Sequence, residues 1–198
     1  SLQPSVDAPL ATGRRSVVSL VADYGVLQWF DIPYAQPPVG ELRWRAPQPL
    51  AAADQVVYRQ SDPIICPQEA NSVNGVDGDA PIGREDCLYL DITAPQNADG
   101  SLPVMFWIHG GGNRSGHKNS YDFSRLASIE NVVVVSINYR LGPLGWFAHP
   151  ALGSGPGTIA NFGTLDIIAA LGWVQRNISA FGGDTDNATV FRATAGGH

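Results

Sequence analysis

Two glycine-rich segments carry the residue types best suited to chemistry. The first, Trp107-Ile108-His109-Gly110-Gly111-Gly112-Asn113, follows an apolar run directly. Three successive glycines let the backbone turn sharply and present N–H groups into a cleft, where they can hold an oxygen that gains charge during acyl transfer. A phosphate-cradling or purely structural turn is the other reading. A P-loop is excluded, because no Gly-Lys-Ser/Thr follows. The second segment, Thr189-Val190-Phe191-Arg192-Ala193-Thr194-Ala195-Gly196-Gly197, has the position and context of a nucleophile elbow, a strained turn that exposes one side chain above a sheet. The pattern Gly-x-Ser-x-Gly is half present. Gly196 stands where the second glycine belongs, Arg192 takes the first glycine's place, and Thr194 the serine's.

These segments need a sheet to position them. Ser16 to Val21 and Val26 to Phe30 read as strands. Pro33, Pro37, Pro38, Pro47 and Pro49 then exclude a helix from that stretch. Ala70 to Pro81, small and acidic, reads as an exposed loop. Leu88 to Thr93 alternates apolar and polar residues, which predicts a half-buried strand. Val104 to Ile108 is uniformly apolar, and Val132 to Ile137 is apolar and β-branched apart from Ser136, as in a sheet covered on both faces. The spacing of Leu165, Ile168, Ala169 and Gly172, with Trp173 beside them, predicts a helix over Asn161 to Phe181. Asn161 is its expected cap, Asp166 a favourable charge near its start, and Gly182-Gly183 its stop. A short strand, Thr189 to Phe191, precedes the turn at Gly196-Gly197. This order of strand, helix, strand and glycine turn is that of an α/β sheet with its chemistry at strand C-terminal ends.

Composition bounds the partners. The chain has 198 residues, 12 basic against 18 acidic, a net charge of −6, and 44% apolar residues. That length predicts one domain with a sizeable core. The acidic balance, with no Lys/Arg cluster, argues against nucleic acid and anionic membranes. No apolar run reaches the roughly 18 residues of a membrane span. The N-terminus lacks a signal-peptide pattern, so any such peptide is expected to have been removed already. Cys66 and Cys87 are the two cysteines; they cannot build a zinc site unaided, and no histidine lies near either. Two free thiols in the cytosol, or a bridge in an oxidising compartment, both fit at this point.

Further motifs carry a resemblance. Glu85-Asp86-Cys87-Leu88-Tyr89-Leu90 stands intact. Ile32-Pro33-Tyr34-Ala35 continues through Pro37-Pro38 and Gly40 into Leu42-Arg43-Trp44. The glycine loop from His109, Asn138-Tyr139-Arg140-Leu141-Gly142, Trp173-Val174, Asn177-Ile178 and Phe181-Gly182-Gly183-Asp184 follow in order. Together they resemble the N-terminal part of a type-B carboxylesterase, the cholinesterase-like family of α/β-hydrolases, over nearly the whole chain.

The resemblance implies an α/β fold: the N-terminal part of an α/β-hydrolase, with a mixed sheet, an N-terminal antiparallel portion and crossover helices. Residues 1–198 would be the N-terminal portion of a single domain whose C-terminal part is absent here. It implies a carboxylic ester hydrolase acting without metal or cofactor on a small-molecule ester. Gly111, Gly112 and Ala195 would donate the oxyanion-hole N–H groups, with Thr194 at the nucleophile position and His109 and Gly110 orienting the loop. Cys66 and Cys87 would pair, which implies a secreted or periplasmic protein.

Departures from the family pattern weaken the chemistry. The family's elbow has Gly-Glu-Ser where this chain has Arg192-Ala193-Thr194, and Asn113 replaces a common aromatic. An arginine at 192 is expected to clash with the tight turn, and β-branched Thr194 resists the strained backbone of an elbow. Threonine is a nucleophile only with a positioned base. After Thr194 the only histidine is His198, four residues on and along the same expected helix, and no acid follows. His117 and His149 read as surface or loop residues. The sequons at Asn113, Asn177 and Asn187 read as chance. The expected activity of these 198 residues alone is negligible. A non-catalytic esterase-like binding protein, or a truncated or split enzyme fragment that self-associates or needs a complementing C-terminal chain, are the alternatives.

Overall fold

The computed structural model of the chain describes residues 3–10, 13–50, 55–152 and 160–193. The strands, in chain order, are β1 (Gln3–Leu10), β2 (Gly13–Ala22), β3 (Val26–Pro33), β4 (Gln55–Val57), β5 (Gln68–Glu69), β6 (Pro81–Ile82), β7 (Tyr89–Pro95), β8 (Leu102–Ile108), β9 (Val133–Ile137) and β10 (Gly183–Arg192). The helices are α1 (Ser124–Glu130), the single turn α2 (Gly142–Gly145) and α3 (Phe162–Asn177). Among the described residues, the main sheet runs β1-β2-β3-β7-β9-β8-β10, with β4 beside β2. Its N-terminal half is antiparallel apart from the short β4, which lies parallel to β2, while β8 lies parallel to both β9 and β10. This is a mixed sheet with an antiparallel N-terminal portion, as the resemblance implies.

Both faces of the sheet are covered, as the continuous apolar strands require. Val104, Phe106 and Ile108 of β8 and Val133, Val135 and Ile137 of β9 pack with Ala170, Trp173 and Val174 of α3. The alternate residues Met105 and Val134 pack with Ala127 and Leu126 of α1. Period-two side-chain alternation thus sends one set of strand residues to each helical layer.

Six expectations are corrected. Strand β7 is buried on both faces rather than half-buried, because its polar residue Asp91 is taken up by an internal ion cluster. The predicted helix over Asn161 to Phe181 is an α-helix over Phe162–Asn177 followed by a 3₁₀ turn, Ile178–Phe181. Asn161 makes no side-chain cap; it pairs instead across a bridge with Trp146. The helix also buries a different face. Phe162, Gly163, Asp166, Ala170, Trp173 and Val174 face inward, whereas Ile168 is 57% exposed. Asp166 is not a solvated end charge. It forms a bidentate, fully buried pair with Arg140 at 2.8 Å on both oxygens, and that pairing turns the helix. Gly182 stops the 3₁₀ turn in the left-handed region, and the final strand begins at Gly183 rather than Thr189.

Candidate active site

The connections set the location. The chain leaves β8 through α1 to β9 on one flank, then passes through α3 to β10 on the other flank of β8. Strand order reverses at β8, and such a switch point opens a crevice outside the strand C-terminal ends. The glycine loop leaves β8 there, and β10 ends at the same level, with Arg192 in register with Ile108.

Gly111, Gly112 and Asn113 all have positive φ, at 111°, 61° and 62°. At Gly111 the requirement is absolute, because a Cβ would run into the carbonyl oxygen of Ser115. Asparagine is the side-chain-bearing residue most at ease in such a conformation, which suits position 113. The carbonyl of Gly111 accepts from the N–H groups of Arg114 and Ser115, closing the loop into a tight turn. The N–H groups of Gly111 and Gly112 have no acceptor among the described residues. Both glycines line a cleft of about 1100 Å³ whose walls include Ile82, Leu141, Leu144, Trp146 and Phe147.

His109 sits beneath the loop, 2% exposed. Its Nδ1 lies 2.8 Å from the Gly110 carbonyl, and its ring stacks on Tyr139 at 4.5 Å. The Tyr139 hydroxyl donates to the His109 carbonyl at 2.8 Å. Burial pulls the His109 pKa down to about 4, with the Gly110 carbonyl opposing and the His117 and Arg192 charges adding to the fall. The imidazole is therefore neutral at neutral pH. Its Nε2 is buried without a partner among the described residues.

The far end of the loop is anchored by residues that sequence reasoning missed. The Gly116 N–H donates to Gln68 Oε1 at 2.8 Å, and Gln68 Nε2 donates back to the Gly116 carbonyl at 2.9 Å. Gln68 also bonds the Cys66 carbonyl and Asn74. Two residues on from Gly116, the fully buried Lys118 ammonium lies 2.7 Å from both Asp31 and Asp91. The Lys118 N–H donates to Asn138 Oδ1, while Asn138 Nδ2 donates to the Ile64 carbonyl. Cys66 and Cys87 form a disulfide, with Cα atoms 5.1 Å apart. The bridge and the glycine loop are thus joined through Gln68 and Asn138. The one advance signal of Lys118 was a lysine followed by Asn119 just after a glycine run, which names no partner.

Arg192 does not clash. It ends β10 in extended conformation with its side chain exposed, and its Nη2 donates to Asn113 Oδ1 at 2.7 Å. Two of the departures from the family pattern, Arg192 and Asn113, therefore touch each other. Thr194, Ala195, Gly196-Gly197 and His198 lie outside the described residues. His117 is a half-buried loop residue bonded to Asn74 and Asn119, and His149 is an exposed one stacked on Phe147. The expected loop at Ala70 to Pro81 is mostly exposed, but Asn74 is buried by its bond to Gln68, and Pro81 enters β6. Asn177 is buried as well, with its amide on the Trp173 carbonyl. Among the described residues, no cluster of His, Cys, Asp and Glu could hold a metal ion, and no helix is long and apolar enough to cross a membrane.

Comparison with known proteins matches residues 7–198 to the carboxylesterase family. The para-nitrobenzyl esterase of Bacillus subtilis (strain 168) is 42% identical over 190 residues, covering 95% of this chain and 38% of its own length. The fumonisin B1 esterase of Sphingopyxis macrogoltabida is 48% identical over 172 residues, covering 83% and 31%. A solved PNB esterase structure superimposes with a TM-score of 0.81 at 39% identity, over 96% of this chain and 39% of that one. The chain thus spans less than two-fifths of the length of these relatives.

Proposed function

The chain belongs to the carboxylesterase family, and from that premise we propose that it supplies the carbonyl-polarising half of a carboxylic ester hydrolase site. The observation that carries this is the pair of N–H groups at Gly111 and Gly112, without acceptors among the described residues, in the wall of the switch-point cleft. When a hydroxyl adds to an ester carbonyl, the carbonyl oxygen takes on negative charge. Fixed donors at that position stabilise the adduct more than the ester, and losing one donor costs about 3 kcal/mol of barrier. The role of His109 and Gly110 is to orient this loop; the neutral, stacked imidazole suits that role.

In this reading Thr194 occupies the nucleophile position, Ala195 adds a third N–H donor, and residues 1–198 are the N-terminal portion of one hydrolase domain. A base must take the hydroxyl proton as the acyl bond forms, then return it to the leaving alcohol. That base and its acid partner come from outside these 198 residues. The substrate is a small carboxylic ester whose apolar part lies along Leu141, Leu144 and Trp146. The disulfide supports an extracellular or periplasmic location.

Intact-mass analysis and peptide mapping after a fluorophosphonate probe test the division of labour. The 198 residues alone should give no stoichiometric adduct; an adduct on Thr194 would show a complete site and overturn it. In a chimera completed by the C-terminal three-fifths of the Bacillus subtilis relative, with Thr194→Ser and Arg192→Gly, ester hydrolysis should appear and fall about 100-fold or more on Gly111→Ala, whose Cβ meets the Ser115 carbonyl and displaces the loop's donors. A folded chimera without hydrolysis would refute the proposal. The second reading, a non-catalytic esterase-like binding protein, is favoured by one observation, the guanidinium of Arg192 held over the loop by Asn113.

A further inference from the structure

Arg192 brings a charge to the edge of this cleft, because its guanidinium bonds Asn113, a residue of the cleft wall. Among the described residues no carboxylate pairs with its guanidinium. Of its five N–H donors one goes to Asn113 Oδ1 and another engages the Tyr139 hydroxyl, which fixes the head group beside the glycine loop and leaves the rest for a ligand. Asn113 and the two glycines with unengaged N–H groups line the same cleft. A permanent cation beside two unengaged backbone donors suits a full anion rather than a neutral ester carbonyl.

We propose that Arg192, held by Asn113, and the N–H groups of Gly111 and Gly112 form a binding site for a small monocarboxylate with an apolar tail. Carboxylate is the anion chosen because the planar guanidinium fork matches its two oxygens, and because one arginine balances one charge where a phosphate dianion would remain half unpaired. The apolar tail follows from the walls formed by Ile82, Leu141, Leu144, Trp146 and Phe147. The ligand chemistry is that of the acid released from an ester, so the cleft holds the product of ester hydrolysis more tightly than the ester itself. This rests on the proposed function only for the two glycine donors; the arginine stands apart from it.

Calorimetric titration of the 198-residue protein with butyrate, and with its neutral isostere butyramide, tests this at low ionic strength and pH 7.5. Butyrate should bind at least tenfold more tightly than butyramide. Arg192→Gln should bring butyrate down to the amide's affinity, Arg192→Lys should keep part of the preference, and Arg114→Gln, in the same cleft wall, should change it less than twofold. If Arg192→Gln does not fold, the unaltered protein still decides: butyrate should move the amide proton resonances of Gly111 and Gly112 downfield, and butyramide should not. Equal affinity for the two ligands, unmoved glycine amides, or full affinity in a folded Arg192→Gln protein would overturn the site. Hydrolysis is not part of the readout. A chimera without turnover would sink the hydrolase reading alone, and a folded, unaltered 198-residue protein without butyrate preference would sink this one alone.

Discussion

Protonating His109 should undo part of the fold, and the amount follows from its burial. The ring is 2% exposed, stacked on Tyr139, and surrounded by the Gly110 carbonyl and the charges of Arg192 and His117. Its pKa falls from 6.5 in the unfolded chain to about 4 in the folded one. The unfolded chain therefore takes up the proton first as pH drops. The stabilisation is fully present above pH 6.5, declines through the interval down to pH 4, and levels off below it. A gap of that size corresponds to about 3 kcal/mol in total, of which about 2 kcal/mol is lost by pH 5. Urea unfolding followed by tryptophan fluorescence at pH 7.5, 6 and 5 measures this against His109→Asn, whose amide nitrogen can replace Nδ1 on the Gly110 carbonyl but does not titrate. The variant's lost stacking is independent of pH, and the other titrating groups are common to both proteins. The stability difference between the two should shrink by about 2 kcal/mol from pH 7.5 to 5. A constant difference would mean that the imidazole is protonated as easily folded as unfolded, and the account of a dry, neutral histidine under the loop would be wrong.

Two further perturbations probe the anchors. Lys118→Met should destabilise the chain by about 4 kcal/mol, because Asp31 and Asp91 would be left as buried, uncompensated carboxylates; adding Asp91→Leu to it should recover part of the loss, and chemical denaturation reads both. Reducing the Cys66–Cys87 bridge should lower stability by about 3 kcal/mol through loop entropy, and because Gln68 ties that loop to Gly116 it should also speed hydrogen exchange at Gly116, which an unlinked loop would leave unchanged.

The strands flanking the site were readable because their burial is written in consecutive residues. Val104 to Ile108, and Val133 to Ile137 apart from Ser136, are apolar on both faces, and no partner need be known to place them in a covered sheet. The glycine loop was readable for a similar reason: its backbone shape is a property of its own residues. What failed was each feature decided at a distance. Asp91 made β7 look half-exposed because its partner Lys118 lies in a later loop. Asp166 read as a favourable charge near a helix start, and Arg140, 26 positions earlier, turned it inward along with a whole helix face. Gln68 drew no attention, since its significance is a bidentate grip on a backbone 48 positions away. Arg192 was expected to clash on the logic of a glycine site, whereas an extended strand end gives its side chain an exposed path to Asn113.

The strand order also governs how the sheet can be assembled as the chain is synthesised. Strand β8 is made before either of its sheet neighbours, β9 and β10. The N-terminal strands and β7 can zip together early through antiparallel pairing, but they share no ladder with β8. Among the described residues, only the five-residue β9 pairs with both strands, through four residues to β7 and five to β8. Until Val133 to Ile137 emerge, the strand that carries the glycine loop is an unpaired apolar segment beside a sheet with an open edge, the arrangement that invites pairing between nascent chains. The short β9 is thus the splice that sets the register of the two halves of the molecule, and the geometry of the cleft waits on it.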